Sequence, residues 1–412
     1  EQKEKSTQSR QFALNIYSSA ARHSFGENES ILEQYKQFKS PELDADLLNA
    51  YGLPVLSLRI QDLDDAVEAE DDDSIQLSRR EKRIRQLIMH QLEQHADTLS
   101  AAAEHLKNSA MFSPRKQWVT RYPVSLIEAV LQHRGHAYLC DEIARDEDPS
   151  YTASDIMASV FGYVSKSAMD GKRLLDFGCG SGASTMIMAR ALPKCQIYGV
   201  ELEPKPLALA RLRAAHYRCD NLTLLQSPSP DALPPEIQQV DYILLSAVYE
   251  HLLPVERPRL LRQMWELLAP GGVLFINQTP DDRFPLETHT TSLPFINYLP
   301  DNLAGAFART CSKRSLKNAS WELMLRKGIR GASPGEIMGI LSSFSSGSPQ
   351  LLQPQAPGLK QQSDIWYHSA RERLSQRYHG AKRLMVLSLI DAMIVSRLPV
   401  APYLSLAIHK QA

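Results

Sequence analysis

The sequence predicts an α/β fold, a parallel sheet with helices on both faces, accompanied by a helical N-terminal extension and a helical insertion before the last strand. Two observations lead there. From about residue 151, short apolar runs alternate with segments long enough for crossover helices, as a parallel sheet requires. After the first of these runs, "LLDFGCGSGAST" (174–185) sets three glycines one residue apart, where a doubly wound sheet brings backbone close to a ligand.

The elements follow in order. "RLLDFG" reads as the first strand, "QIYGVEL" as the second, "LTLLQ" as the third, "DYILLSA" as the fourth and "VLFINQ" as the fifth. "ASTMIMARAL", "PLALARLRAAHY" and "ERPRLLRQMWELLAPGG" supply the crossover helices, and Pro270, Gly271 and Gly272 end the last of them. Residues 1–150 read as a charged helical extension. An acidic stretch (61–74) precedes an amphipathic helix over 79–106, with Ile84, Leu87, Ile88, Leu92 and Leu99 near one face and Ser78 as N-cap. Residues 304–398 read as a helical insertion or lid. Within it, 320–341 is helix, glycine turn and helix, the second capped by Ser333 with Glu336 at capping-box spacing. Residues 342–358, rich in Ser, Pro, Gly and Gln, are expected to be an exposed mobile loop. "RLMVLSLIDAMIVSRL" (383–398) is apolar almost all round and is expected to be buried against the core, a partner subunit or a lipid-like substrate. Residues 399–412 are expected to rejoin the core, residues 151–303, as an edge strand.

With 46 basic and 47 acidic residues, the net charge of -1 gives no general pull toward nucleic acid or anionic membrane, so no nucleic-acid partner is expected. Cys140, Cys179, Cys195, Cys219 and Cys311 are an odd number without close pairing, which suits a reducing compartment and suggests no metal site. The apolar run Leu384–Ser396 is too short to span a bilayer and contains Asp391. "EQKEKSTQSR" lacks the apolar stretch of a secretory signal, so a cytoplasmic protein is expected.

Gly178, Gly180, Gly182 and Ala183 also satisfy the dinucleotide fingerprint, so the turn alone leaves NAD and FAD open. Asp176 argues against them: a carboxylate two residues before the first glycine disfavours a pyrophosphate and favours a cationic ligand. Glu201, at the tip of the second strand, can accept both hydroxyls of a ribose.

These motifs, with "DYILLSAVYEHL" and "LLAPGGVLFIN" following in order, resemble those of class I S-adenosylmethionine-dependent methyltransferases of the small-molecule type, over about residues 151–300. The resemblance implies a Rossmann-like sheet and S-adenosyl-L-methionine as cofactor. It implies that Asp176, Gly178, Gly180 and Gly182 line the methionyl part, that Glu201 binds the ribose, and that Gln226 and Ser227 stand near the adenine. Here "QSPSPDAL" departs from the family's common Gly-Asp-Ala form. Ser246 resembles the strand end beside the methionine, with Glu250 and His251 turning toward the acceptor.

Methyl transfer needs nucleophile and sulfonium held close and collinear, and a hydroxyl acceptor benefits from a general base. The candidates are His289, in the polar loop 277–300 after the fifth strand, and His251. Glu250, Arg283, Glu287 and Tyr298 are the expected substrate contacts; the plain alternative is a loop whose Thr and Glu side chains satisfy its own backbone. The expected activity is O-methylation of a small-molecule, sugar- or lipid-linked acceptor in a biosynthetic pathway. The rival readings are a non-catalytic S-adenosylmethionine-binding subunit and a protein or RNA methyltransferase. The helical segments would serve an enclosed pocket or a homodimer interface.

Overall fold

A computed structural model describes residues 11–15, 55–59, 117–120, 122–134, 139–312, 316–377 and 380–411, and the chain divides into two compact units, 1–147 and 148–412. In the first unit, β1 (Gln11–Asn15), β2 (Val55–Arg59) and β3 (Gln117–Thr120) form a three-stranded sheet, β1 antiparallel and β3 parallel to β2. Helices α1 (Val124–Arg134) and α2 (Leu139–Glu147) follow. A wholly helical extension is therefore corrected: the apolar alternation at Leu56 and Leu58 has a strand's period of two. The helix expected over 79–106 lies outside the described residues.

The second unit opens with α3 (Ser154–Phe161) and builds a seven-stranded sheet. In chain order the elements are β4 (Arg173–Phe177), α4 (Ala183–Ala191), β5 (Gln196–Glu201), α5 (Pro204–Tyr217), β6 (Leu222–Gln226), β7 (Val240–Ser246), α6 (Arg257–Leu267) and β8 (Leu268–Pro280). Then come α7 (Asp301–Cys311), α8 (Trp321–Arg326), α9 (Pro334–Ser342), β9 (Pro349–Leu351), α10 (Gln362–Arg377), α11 (Gly380–Val395) and β10 (Tyr403–Lys410). The strands lie in the order β6-β5-β4-β7-β8-β10-β9. Strands β4 to β8 are mutually parallel and β10 runs antiparallel to both its neighbours.

The strands read as continuous apolar runs because both faces are covered. Leu175, Ile243, Leu245, Leu274 and Ile276 pack on one face with Leu260, Leu261, Met264 and Trp265 of α6 and Ile337 and Leu341 of α9. Leu174, Leu244, Val273 and Phe275, at alternate positions, pack on the other with Ile156 and Val160 of α3, Ile187 and Met188 of α4 and Ile365 of α10.

Three expectations change. The closing strand is not at the edge: β10 lies between β8 and β9. The stretch 342–358 is not all loop, because β10's outer backbone groups need partners and Pro349–Leu351 supplies them. And α11 is not buried against the core. Of its side chains Ile390 is buried, packing with Trp366, Tyr367 and Ala370 of α10, while Leu384 (70%), Met385 (67%) and Leu389 (58%) are exposed. An all-round apolar helix has no face that marks its partner, and α10 covers one side.

Candidate functional site

The glycine turn leaves the carboxyl end of β4, and Gly178 (φ +73), Gly180 (φ +56) and Gly182 (φ +87) all take left-handed backbone. A Cβ at Gly178 would lie 2.5 Å from Val248 Cγ2, whereas a Cβ at Gly180 would meet nothing within 4 Å and project into open space. Asp176 is buried beneath the turn, its Oδ2 accepting from Thr185 Oγ1 (2.6 Å) and Ser184 Oγ (2.9 Å) on the first turn of α4. Burial pushes its carboxyl up to about 6; the two hydroxyl bonds oppose the rise and Glu201 adds to it.

Glu201, at the tip of β5, holds the turn from the other side. Gly180 N–H donates to Oε2 and Glu203 N–H to Oε1, each at 2.8 Å, so one carboxylate ties the glycine loop to the start of α5. Each oxygen keeps a further lone pair for a ribose hydroxyl. Gln226, at the end of β6, is exposed and donates to the Leu202 carbonyl (3.2 Å). The Ser227 hydroxyl is turned into its own loop, toward the Ser229 and Ala232 carbonyls (2.8 and 2.6 Å). Ser246 closes β7 opposite Asn277, and Ala247 (φ 55) breaks the strand there.

The turn after β7 delivers Glu250 and His251, and the loop after β8 returns His289 to them. The two imidazole centroids are 5.3 Å apart, and His251 Nε2 lies 3.7 Å from Glu250 Oε1. Glu250 is fully buried; its Oε2 accepts from Thr279 Oγ1 (3.0 Å) and its Oε1 has no hydrogen-bond partner. Burial pushes its carboxyl above the usual carboxylate range, with His251 opposing. His251 Nδ1 is 2.8 Å from the Arg326 carbonyl, which can only accept, so Nδ1 carries a proton and Nε2 is the nitrogen turned toward Glu250. His289 also meets Tyr403 edge-on, centroids 6.4 Å apart.

The other expected substrate contacts are engaged elsewhere. Glu287 is buried and accepts from the backbone N–H groups of His289, Thr290 and Thr291 and from the Thr291 hydroxyl, so its carboxylate shapes the loop that carries His289. Arg283 forms a two-pronged pair with Asp281, Nε at 2.8 Å and Nη2 at 2.7 Å, which spends the fork expected for a substrate anion. Tyr298 is exposed, and its hydroxyl donates to the Arg283 carbonyl (2.6 Å).

Sequence reasoning missed the wall of this cluster. Gly328 (φ +82) sits so close that a Cβ there would be 2.7 Å from His289 Cδ2 and 3.0 Å from Glu250 Cγ. Arg326, two residues earlier, is clamped to Glu256 at 2.6 and 2.5 Å. Thr290 donates to the Lys327 carbonyl (2.6 Å), binding the two loops together. "RKGIRG" looks like any glycine turn in the sequence; its role appears only where the fold sets it against residues far away in the chain.

A family model described as a methyltransferase domain matches residues 175–274. Among curated proteins the chain is similar to carboxy-S-adenosyl-L-methionine synthase of Aliivibrio fischeri (strain MJ11), 29% identical over 133 residues, 32% of this chain and 53% of that protein. It is also similar to the synthase of that name from Photobacterium profundum, 27% identical over 132 residues, 32% of this chain and 52% of that protein. The chain thus spans about half the length of these relatives. Among solved structures it is similar to the plantazolicin methyltransferase BamL (14% identity, TM-score 0.38, 70% of this chain and 96% of that one). It is similar too to the glycopeptide N-methyltransferase MtfA in complex with S-adenosylmethionine (22% identity, TM-score 0.27, 33% and 54%). Open space before Gly180 and spare lone pairs on Glu201 fit that cofactor. Residues 175–274 of the chain carry a methyltransferase domain.

Proposed function

We propose that this protein transfers a methyl group from S-adenosylmethionine to an oxygen of a small-molecule, sugar- or lipid-linked acceptor. The observation that carries the reading is Val248, which abuts the glycine turn at Gly178 and lies two and three residues before Glu250 and His251, so that cofactor loop and titratable cluster share one edge of the sheet. S-adenosylmethionine brings a methyl carbon activated by positive sulfur, and the acceptor's lone pair displaces the C–S bond, whose electrons stay on sulfur. Gly178, Gly180 and Gly182 shape the cradle, and Glu201 both holds the Gly180 N–H and receives the ribose. Asp176, ionised, favours the cationic end of the cofactor. Gln226, Ser227 and Ser246 border the space for the adenine and methionine. His289, with His251 and Glu250 beside it, stands where the acceptor's proton must leave. Glu287 and Arg283 act on the acceptor through the loop that they shape, and Tyr298 closes its outer rim.

Calorimetric titration with S-adenosylmethionine, S-adenosylhomocysteine and NAD tests the cofactor. Micromolar binding of the first two without NAD is expected, and failure of both adenosyl ligands would sink the reading. Labelled methyl transfer to an acceptor panel follows, with His289→Ala at saturating cofactor expected to slow the reaction at least tenfold. An undiminished rate removes His289 from the chemistry.

A further inference from the structure

Glu250, His251 and His289 offer one carboxylate oxygen and two imidazole nitrogens, all within 4.8 Å of one another. Nothing in the sequence spacing announces this, since the third residue arrives from another loop. Four features distinguish the cluster from an ordinary hydrogen-bonded His and Glu pair.

Glu250 Oε1 is fully buried without a hydrogen-bond partner, a costly arrangement unless something occupies it. His251 Nε2 faces that oxygen at 3.7 Å, too far for a hydrogen bond. With bonds of about 2.0–2.2 Å, two ligand atoms on one ion stand roughly 3 to 4 Å apart, so the gap matches a shared cation. The atoms behind the cluster are arranged as around a metal: the other nitrogen of His251 donates to a backbone carbonyl, and the other oxygen of Glu250 accepts from the Thr279 hydroxyl. Finally, Gly328 backs the cluster, where a Cβ would crowd both His289 Cδ2 (2.7 Å) and Glu250 Cγ (3.0 Å).

We propose that Glu250 Oε1, His251 Nε2 and a ring nitrogen of His289 form a three-ligand site for a divalent first-row transition ion such as Zn²⁺, facing the acceptor. Two nitrogens and one carboxylate suit Zn²⁺ and its neighbours better than Ca²⁺ or Mg²⁺, which prefer oxygen sets. Three protein ligands leave a fourth position for an acceptor oxygen, whose hydroxyl an ion acidifies so that its proton passes to water. That role rests on the methyl-transfer reading; the binding does not.

The full chain, stripped with a chelator, is titrated with Zn²⁺ by calorimetry and with Co²⁺ by visible absorbance. One ion per chain and a Co²⁺ spectrum of mixed nitrogen and oxygen ligation are expected. Glu250→Gln and His289→Asn should each weaken the ion at least tenfold while S-adenosylhomocysteine binds as before. The site is overturned if a chain that binds S-adenosylhomocysteine takes up neither ion, or if both variants bind as wild type, which marks an adventitious ion only. A wild-type Co²⁺ spectrum of all-oxygen ligation overturns it as well, whatever the variants do. Methyl transfer that survives the chelator with no ion bound overturns the ion's role in the reaction and leaves the methyl-transfer reading standing. A bound ion without transfer keeps the site and removes its role.

Discussion

The side chain of Val248 occupies the place where Gly178 would carry a Cβ, 2.5 Å from it, and so locks the glycine turn to the strand end that leads into Glu250. Gly178→Ala should therefore weaken S-adenosylhomocysteine at least tenfold, about 1.4 kcal/mol, as read by calorimetry. Adding Val248→Ala should recover part of the loss. The remainder reflects the left-handed backbone at φ +73, which costs a side chain about 1–2 kcal/mol.

Asp176 predicts a pH dependence. Its carboxyl in the folded chain titrates at about 6, above the ordinary carboxylate range, chiefly through burial. A raised carboxyl favours the folded state below the unfolded value, near 4, and that contribution is lost as pH rises through about 6. Cofactor binding has the opposite sign, because the cationic ligand needs the ionised form. Affinity for S-adenosylmethionine should fall as pH drops from 7.5 to 5, and Asp176→Asn should flatten the profile; a wild-type curve equally flat would exclude the acid from cofactor recognition.

The ion pair between Arg326 and Glu256 should matter to turnover more than to cofactor binding. It holds the segment whose carbonyl at Arg326 orients His251 and whose Gly328 leaves room for His289 where a Cβ would not. Glu256→Ala is expected to lower kcat about tenfold, by the measure of comparable supporting contacts, with S-adenosylhomocysteine affinity unchanged. Equal losses in both would instead mean that the whole edge had shifted.

Trp265 is the largest fully buried side chain among the described residues, and its Nε1–H donates to the Gly347 carbonyl at 3.3 Å. Trp265→Ala should cost about 3–5 kcal/mol in denaturant unfolding of the domain. A shift below 1 kcal/mol would show that α6 repacks without it.

Much of the sheet was legible because each strand from β4 to β8 is a short apolar run with turn residues at its ends, and Leu222–Gln226 matches the expected strand residue for residue. The capping of α9 was legible for a local reason: Ser333 Oγ accepts from the Glu336 N–H, as the spacing predicts. But Glu336 goes on to pair with Arg257 and Tyr249, partners that no local pattern reveals. The same limit separates the two halves of the candidate site. The glycine turn is contiguous in the chain, while the cluster at Glu250 draws on Thr279, His289 and Arg326, which only the fold assembles. Composition misled once, at α11, because hydropathy records how apolar a helix is and not how much neighbouring surface exists to cover it.

The position of β10 also orders events during synthesis. The parallel strands β4 to β8 can pair as soon as residue 280 has left the ribosome, but β9 touches the sheet only through β10, at Ile408, His409 and Lys410. Residues 349–351 must therefore wait for a partner made some sixty residues later, and Tyr403 must find Pro280 across the whole intervening insertion. Such distant pairing is slow relative to local contacts, so the nascent chain carries the open edge of β8 for the longest interval, and that edge is where a chaperone would be needed.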